Sequence, residues 1–566
     1  TFTPDKSTEN LTSYDSISGK INVAYGVLGK TGEAIYVSPT GKADNVGTMS
    51  SPLDFQTALD YAQAGQTIVM LDGTYAPTSD YVINRSQKGT AEKPINVVPL
   101  NEGKVVLDGS NMASSNGLLT MVGEYWHVYG LEIKNSPGKG VSICGNNNTL
   151  EMCIIHTNGN SGLQISRYYG EPNTENMWPQ NNLVKNCESY DNCDAGRNDA
   201  DGFSAKLTCG EGNKFYGCIS HHNIDDGWDL YAKSTTGEIG AVTIENSVCY
   251  NNGWLTTDDI IAEGYDFGEG NGFKLGGENM YGAHVLKNCI SYNNYGKGIT
   301  SNSCPDCKVI NCTSYDNSIN GKAYNISLYT KTSNDKAWEV EGYLSVVSSK
   351  YANKVQKELG TSNGVIYSLR SESNYFYDGT RCVNSLGVES STSWFENVDT
   401  SVAPTRNADG TINMHGLLQI KSTGSASEVV TASSAATLLS ASAYAPANTG
   451  ARLDVSSSAA KSIRPAVPTQ EISSVNLPKE NVKPGNPETP SNPVIPSNPM
   501  TPENSDVTDV PSGENTVNTE DSGTGVSETV GTGDSRNVAI PMAVMVICVI
   551  AAAVEVTYEK RRKKRA

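Results

Sequence analysis

Six short stretches of this chain share one pattern. Cys153 opens CIIHTN, Cys187 CESYDN, Cys218 CISHHN, Ser247 SVCYNN, Cys289 CISYNN and Cys312 CTSYDN. Five residues on, each stretch closes with an Asn: Asn158, Asn192, Asn223, Asn252, Asn294 and Asn317. The copies lie 34, 31, 29, 42 and 23 residues apart, and Leu131 in LEIKNS looks like an earlier, degenerate copy. Between them runs a second register, a Gly followed by an apolar residue: Gly140-Val141, Gly162-Leu163, Gly202-Phe203, Gly227-Trp228, Gly272-Phe273 and Gly298-Ile299. Repeats of this size, made of short β-prone runs and Asn/Gly turns, specify an all-β solenoid, a single-stranded parallel β-helix. Each coil adds one rung, and equivalent residues stack about 4.8 Å apart.

The composition fits that architecture. Only 37% of the residues are apolar and 54 are Gly, thin for several ordinary domains at about 45–50% but suited to a narrow coil. A corner Asn on every rung forms an internal ladder, its amide bonding to the next one and to buried backbone. Cys153, Cys187, Cys218, Cys289 and Cys312 are expected as stacked buried thiols filling a neighbouring column rather than as disulfides. Cys304 and Cys307 have no second pair or His partner downstream, which argues against zinc.

Residues 1–33 are a lead-in, and 34–423 are assigned to the coil. Pro52 to Ala62 reads as a short amphipathic helix that plugs its open end, and Gln66–Leu71 and Ile95–Leu100 as first-rung strands. Ile366–Ser371 and Asn413–Leu418 suggest late rungs, and the Ala/Ser-rich 424–465 a trailing or capping segment. Residues 466–536, rich in Pro, Ser, Thr, Glu and Asn, are expected as a disordered stalk. Residues 537–566 hold an uncharged run, Val538–Val554, followed by the basic cluster Lys560–Arg565. That order reads as an apolar anchor helix with a cytoplasmic basic end. Thr532-Gly533-Asp534 resembles a Gram-positive sorting signal, although Thr529 and Val530 stand where Leu-Pro is usual. An extracellular protein, held by its C-terminus to the membrane or cell wall, is therefore expected. The chain opens on Thr1, as a trimmed mature form would.

The formal net charge is −19, and outside its basic tail the chain lacks the footprint of a nucleic-acid binder. Net charge alone would also argue against an acidic partner, but the Gly register localises the acids. Asp201, Asp226 and Asn271 precede the Gly on three successive rungs, and Ser204, Asp229 and Lys274 follow the inward apolar residue. Position alternation puts Asp201, Asp225, Asp226, Asp229, Asn271 and Lys274 on one outer face. Four carboxylates on two adjacent rungs repel unless neutralised. Hard oxygen ligands on a rigid extracellular scaffold point to Ca²⁺. Lys206 and Asn271 are candidate substrate contacts on the same face. Asp194 and Asp199 are possible further ligands, and His221-His222 read as exposed corner residues away from the chemistry. Tyr190, Tyr292 and Tyr315 recur with the ladder and are expected to stack between rungs.

Four motifs in this order carry a family resemblance: Asn198-Asp-Ala-Asp-Gly-Phe-Ser-Ala-Lys-Leu-Thr, Gly210-Glu-Gly-Asn-Lys-Phe, Asp225-Asp-Gly-Trp-Asp-Leu-Tyr and Gly270-Asn-Gly-Phe-Lys-Leu-Gly-Gly. Over roughly 34–420 the chain resembles the polysaccharide lyase family 9 pectate lyases. The resemblance implies a right-handed parallel β-helix that cleaves polygalacturonate by Ca²⁺-dependent β-elimination. It places the calcium carboxylates on Asp201, Asp225, Asp226 and Asp229 and the catalytic base on Lys274. The loop Trp254–Glu269, with five acids, looks longer than usual and is expected to shape the cleft. The partner would be an acidic, pectin-like polysaccharide acted on by a monomer. Three alternatives stay open: a lyase acting on another uronate polymer such as rhamnogalacturonan or a sulfated glycan, an inverting polygalacturonase using Asp225 and Asp226, and a non-catalytic surface adhesin.

Overall fold

The computed structural model describes residues 27–258, 268–319, 325–330, 338–350, 369–378, 380–422 and 444–476. The anchor at 537–566, nearly all of the expected stalk, most of the 254–269 loop and Ile366–Ser368 lie outside the described residues. Among the described residues, no helix is long and apolar enough to cross a membrane.

Three parallel sheets of ten, nine and eleven strands make up the coil. The strands are only two to five residues long, because each face of the coil is narrow. The register is the one the Gly repeat predicts: Val141 pairs with Leu163, Leu163 with Phe203, Phe203 with Trp228, Trp228 with Phe273 and Phe273 with Ile299. All six side chains are buried. In the nine-stranded sheet, Phe203, Trp228 and Phe273 stack with ring centroids 5.0 and 4.9 Å apart. Such stacking adds roughly 0.5–1.5 kcal/mol per pair beyond area burial and holds three rungs in register beneath the acidic face.

The corners explain the repeat motif. The turn into the ten-stranded sheet is a single left-handed residue (Asn186, Asn246, Asn288 and Asn311, φ 50 to 56°) before an inward small side chain, Cys187, Ser247, Cys289 and Cys312. Asn tolerates this conformation better than most residues. The five stacked cysteines are buried free thiols, as are Cys304 and Cys307.

At the next corner the Asn ladder is continuous. Asn158 Nδ2 donates to Asn192 Oδ1 (2.9 Å), Asn192 to Asn223 (2.7 Å), Asn223 to Asn252 (3.0 Å), Asn252 to Asn294 (2.9 Å) and Asn294 to Asn317 (2.8 Å). A second ladder, not evident from the repeat, links Asn148, Asn182 and Asn213. Asn223 is fully buried and also bonds Ser220 Oγ. Asn223→Ala strands buried partners on both neighbouring rungs and is expected to cost about 3 kcal/mol, read as a lowered urea midpoint with an unchanged m-value.

Outside the ten-stranded sheet His156, Tyr190, His221, Tyr250 and Tyr292 stack at 4.7–5.0 Å. Tyr190 and Tyr292 therefore stack between rungs as expected. His221 is not an exposed corner residue: it is 9% exposed, sandwiched between Tyr190 and Tyr250, with Nε2 3.1 Å from Glu188. Burial, with His221 beside it, pushes the His222 imidazole down to about 3.

The N-terminal end of the coil and one of its outer faces are covered. The helix Phe55–Tyr61, capped by Asp54, buries Phe55, Ala58 and Leu59 against the first strands. The Asn413–Leu418 segment is not a late rung. Ile412–Asn413 forms an antiparallel hairpin with Thr405–Arg406, and His415 and Leu418 take positive φ, which ends any strand. Its Met414, Leu417 and Leu418 instead join the cluster formed by the outward residues Ile219, Val248, Ile290 and Leu344.

Residues 444–476 run back along the coil against the chain direction. Gly450 bonds Gly342, Asp454 meets Asn246, Ser462 meets Asn186, Arg464 reaches Pro99, and Val475–Asn476 pairs with Val27–Leu28. Residues 466–476, which composition assigns to the stalk, belong to this strap.

Candidate active site

The aromatic stack inside the coil fixes what lies outside it. On the strand that holds Trp228, pairing puts Asp229 between Ser204 and Lys274. One residue before each Gly stand Asp201, Asp226 and Asn271 on successive rungs. Each of Asp201, Asp226 and Asp229 offers a carboxylate oxygen, all within 4.8 Å of one another, and all three are buried. This is the one group of three or more potential metal-ligating side chains among the described residues.

Two of the three carboxylates are short of hydrogen bonds. Asp226 Oδ2 and Asp229 Oδ1 are buried without a hydrogen bond. A buried charge is tolerated only when it is paired or bound to metal. Burial, and then the charges of Asp229 and Asp226, push Asp201 up to about 8 despite the Lys206 ammonium; burial and neighbouring acids likewise raise Asp226 to about 6 against Lys274. Hard, crowded oxygen donors with orphaned lone pairs fit Ca²⁺, and Asp201, Asp226 and Asp229 would hold it. Asp225 lines the same pocket but faces elsewhere: its Oδ1 accepts the Glu269 N–H at 2.6 Å. Three of the four expected ligands thus converge, with the fourth on the pocket wall.

Two lysines lie against the cluster. Lys206 Nζ is 2.8 Å from Asp201, 3.0 Å from Asp229 and 3.7 Å from Asp199. It serves the carboxylates rather than standing clear of them as a substrate contact. Lys274 Nζ lies 3.2 Å from Asp226 Oδ2, 3.3 Å from Glu269 and 4.0 Å from Asp229, 5.6 Å from the Tyr231 ring centroid. The 3.2 Å approach to Asp226 is an ion pair without hydrogen-bond alignment, so that oxygen accepts no hydrogen bond. Burial works to lower the Lys274 pKa, but Asp226, Asp229, Glu269 and Asp225 together raise it well above the ordinary lysine range. Lys274 is therefore an ammonium wherever these carboxylates are charged and uncompensated.

Asn271, expected as a substrate contact, is turned into the cluster instead of the cavity. It is fully buried, its Nδ2 donates to Asp226 (2.8 Å) and Glu269 (3.0 Å), and its Oδ1 accepts from the Lys297 N–H. With its amide so engaged, it orients Asp226. Asp194 is tied to the N–H groups of Gly196, Asn198 and Asp199, a turn rather than a ligand site.

Asp225, Asp229 and both lysines open on a cavity of about 180 Å³ lined also by Lys139, Asn160, Gln164, Asp199 and Tyr231, with Asp201 and Asp226 buried behind its wall. The sequence did not single out Tyr231, two positions beyond Asp229 on the same outer face, or Lys139, the residue immediately before Gly140. The Gly register was the available signal for both.

Residues 35–334 match the family model described as "Pel9A-like, right handed beta helix region". The chain is 40% identical over 390 residues to Pectate lyase L of Thermoclostridium stercorarium, covering 69% of this chain and 30% of that one. It is 36% identical over 416 residues to Pectate lyase L of Paenibacillus polymyxa (strain SC2), covering 73% and 85%. Among solved structures, pectate lyase Pel9A aligns with a TM-score of 0.53 at 27% identity over 70% of this chain and 91% of that one. A rhamnogalacturonan lyase aligns at 0.54 with 19% identity, over 69% and 96%, a likeness of fold.

Proposed function

Because the chain belongs to the Pel9A-like right-handed β-helix family, we propose that it is a calcium-dependent pectate lyase that cleaves polygalacturonate by β-elimination. One observation carries the reading: a buried triad of carboxylates with two oxygens that accept no hydrogen bond, Asp226 Oδ2 and Asp229 Oδ1, and a buried lysine, Lys274, paired with the first of them at 3.2 Å. The relatives named pectate lyase support the substrate class.

The C5 hydrogen of a uronate is acidic because the carboxylate beside it delocalises the developing charge. Bound at Asp201, Asp226 and Asp229, Ca²⁺ would take over the carboxylates that hold Lys274 protonated and set positive charge against the sugar carboxylate. Neutral Lys274 then accepts the C5 proton at Nζ. The C5–H electron pair becomes the C4–C5 double bond, the C4–O4 bond breaks, and O4 leaves with a proton from water. Asn271 and Glu269 fix Asp226 and Lys274 while this happens, and Tyr231 walls the cavity.

Polygalacturonate, rhamnogalacturonan and alginate are to be offered to the full chain at one calcium concentration, with ultraviolet absorbance of the unsaturated ends as the readout. Polygalacturonate is expected to give product at least tenfold faster than the other two, and none after chelation. Product without absorbance, released in the presence of chelator, would instead mean hydrolysis. No product from any of them would defeat the lyase reading.

A further inference from the structure

The cavity holds three lysines, and two are committed. Lys206 is bound to Asp201, Asp229 and Asp199, and Lys274 to Asp226 and Glu269. Lys139 lines the same cavity, partly buried, and makes no ion pair with any described carboxylate. Its environment is under-compensated: burial and then the Lys206 ammonium hold it below the ordinary lysine range, against weaker pulls from Asp199 and Asp80. A partly desolvated ammonium without a counter-ion is costly unless an anion arrives.

Its place along the coil is set by the register. Lys139 precedes Gly140 as Ser161 precedes Gly162 and Asp201 precedes Gly202, and these Gly-led strands pair in sequence. Lys139 therefore sits two rungs, roughly 10 Å along the axis, before Asp201. Between the two lie Asn160 and Gln164, neutral hydrogen-bonding groups on the cavity wall. A cavity with its reacting lysine at one end and an uncommitted cation farther along the same face suits a polymer with a carboxylate on every sugar.

We propose that Lys139 binds the carboxylate of a second uronate of the same chain, on the N-terminal side of the reacting sugar, and so selects un-esterified acidic polymer. This rests on the lyase reading for the identity of the sugar but not for its test. Binding of trigalacturonate to the whole 566-residue chain is to be measured by calorimetry, for the parent, Lys139→Gln and Lys139→Arg, alongside steady-state kinetics on polygalacturonate.

Lys139→Gln is expected to weaken trigalacturonate binding and raise KM by about tenfold while kcat changes less than threefold, and Lys139→Arg is expected to restore most of both. With the fully methyl-esterified trimer, whose carboxyls carry no charge, parent and Lys139→Gln are expected to bind within twofold of each other. Equal affinity of parent and Lys139→Gln for trigalacturonate would overturn the proposal. So would an equal loss on the charged and esterified trimers, which would report damage to the cavity rather than a lost charge. If the parent forms no product yet binds trigalacturonate in a Lys139-dependent way, the lyase reading falls and this one stands.

Discussion

Lys274→Arg is expected to lower kcat on polygalacturonate by about 10³-fold, as is Lys274→Ala, although only the second removes a charge. A positioned general base contributes typically about 10²–10⁴ in rate. Arginine keeps a cation beside Asp226, Asp229 and Glu269 but does not give up its proton at any accessible pH. The pair of variants therefore separates two jobs the geometry permits for Lys274, counter-ion and base. If Lys274 served only to neutralise the cluster, Lys274→Arg would retain activity within a few-fold and Lys274→Ala alone would fail. Calcium-dependent thermal stability, measured on the same samples, guards against misfolding: Lys274→Arg should keep it. Activity of Lys274→Arg near that of the parent would remove the base from this position.

Much of the site was legible because the coil converts spacing into position. Once Val141, Leu163, Phe203, Trp228, Phe273 and Ile299 occupy one column, the residues before and after them must do the same, and the Asp201, Asp226, Asp229 and Lys274 cluster follows. Register says less about how side chains are spent. Asn271 lies on the predicted face but is consumed by Asp226 and Glu269, and Asp225 is drawn to the backbone of Glu269. Those outcomes depend on a residue two positions from Asn271 in sequence and on the loop before it, where the repeat is broken.

The strap was hidden for a different reason. Its partners are sequence-distant, Asp454 with Asn246 and Ser473 with Glu33 for example, so no local periodicity marks it. Its Pro- and Ser-rich composition is also what an unfolded stalk would show. The outward apolar residues Ile219, Val248, Ile290 and Leu344 were a usable clue. Apolar positions on the solvent side of a sheet call for a cover, and the hairpin after Thr405 supplies it.

Calcium is expected to raise the melting temperature of the full chain by about 5 °C at a thousandfold excess over its dissociation constant, and Asp229→Asn is expected to abolish that rise and cut product formation by about 10²-fold. Binding to the folded state alone stabilises by about 4.1 kcal/mol at that excess, and for a domain of this size each kcal/mol is worth little more than a degree. Asn at 229 preserves shape but removes a charged donor whose Oδ1 has no protein partner. The rise should also depend on pH in a defined direction. Asp201 is held up to about 8 and Asp226 to about 6, against an ordinary value of 3.8. Between pH 4 and 8 the folded metal-free protein therefore binds more protons at these sites than the unfolded chain does. Their contribution to its stability falls as pH rises through that window. Calcium needs the same oxygens deprotonated, so its affinity climbs over the same range. The calcium-induced increment should thus be larger at pH 8 than at pH 6, and an increment that shrinks with rising pH, or persists in Asp229→Asn, would place the ion somewhere other than this triad.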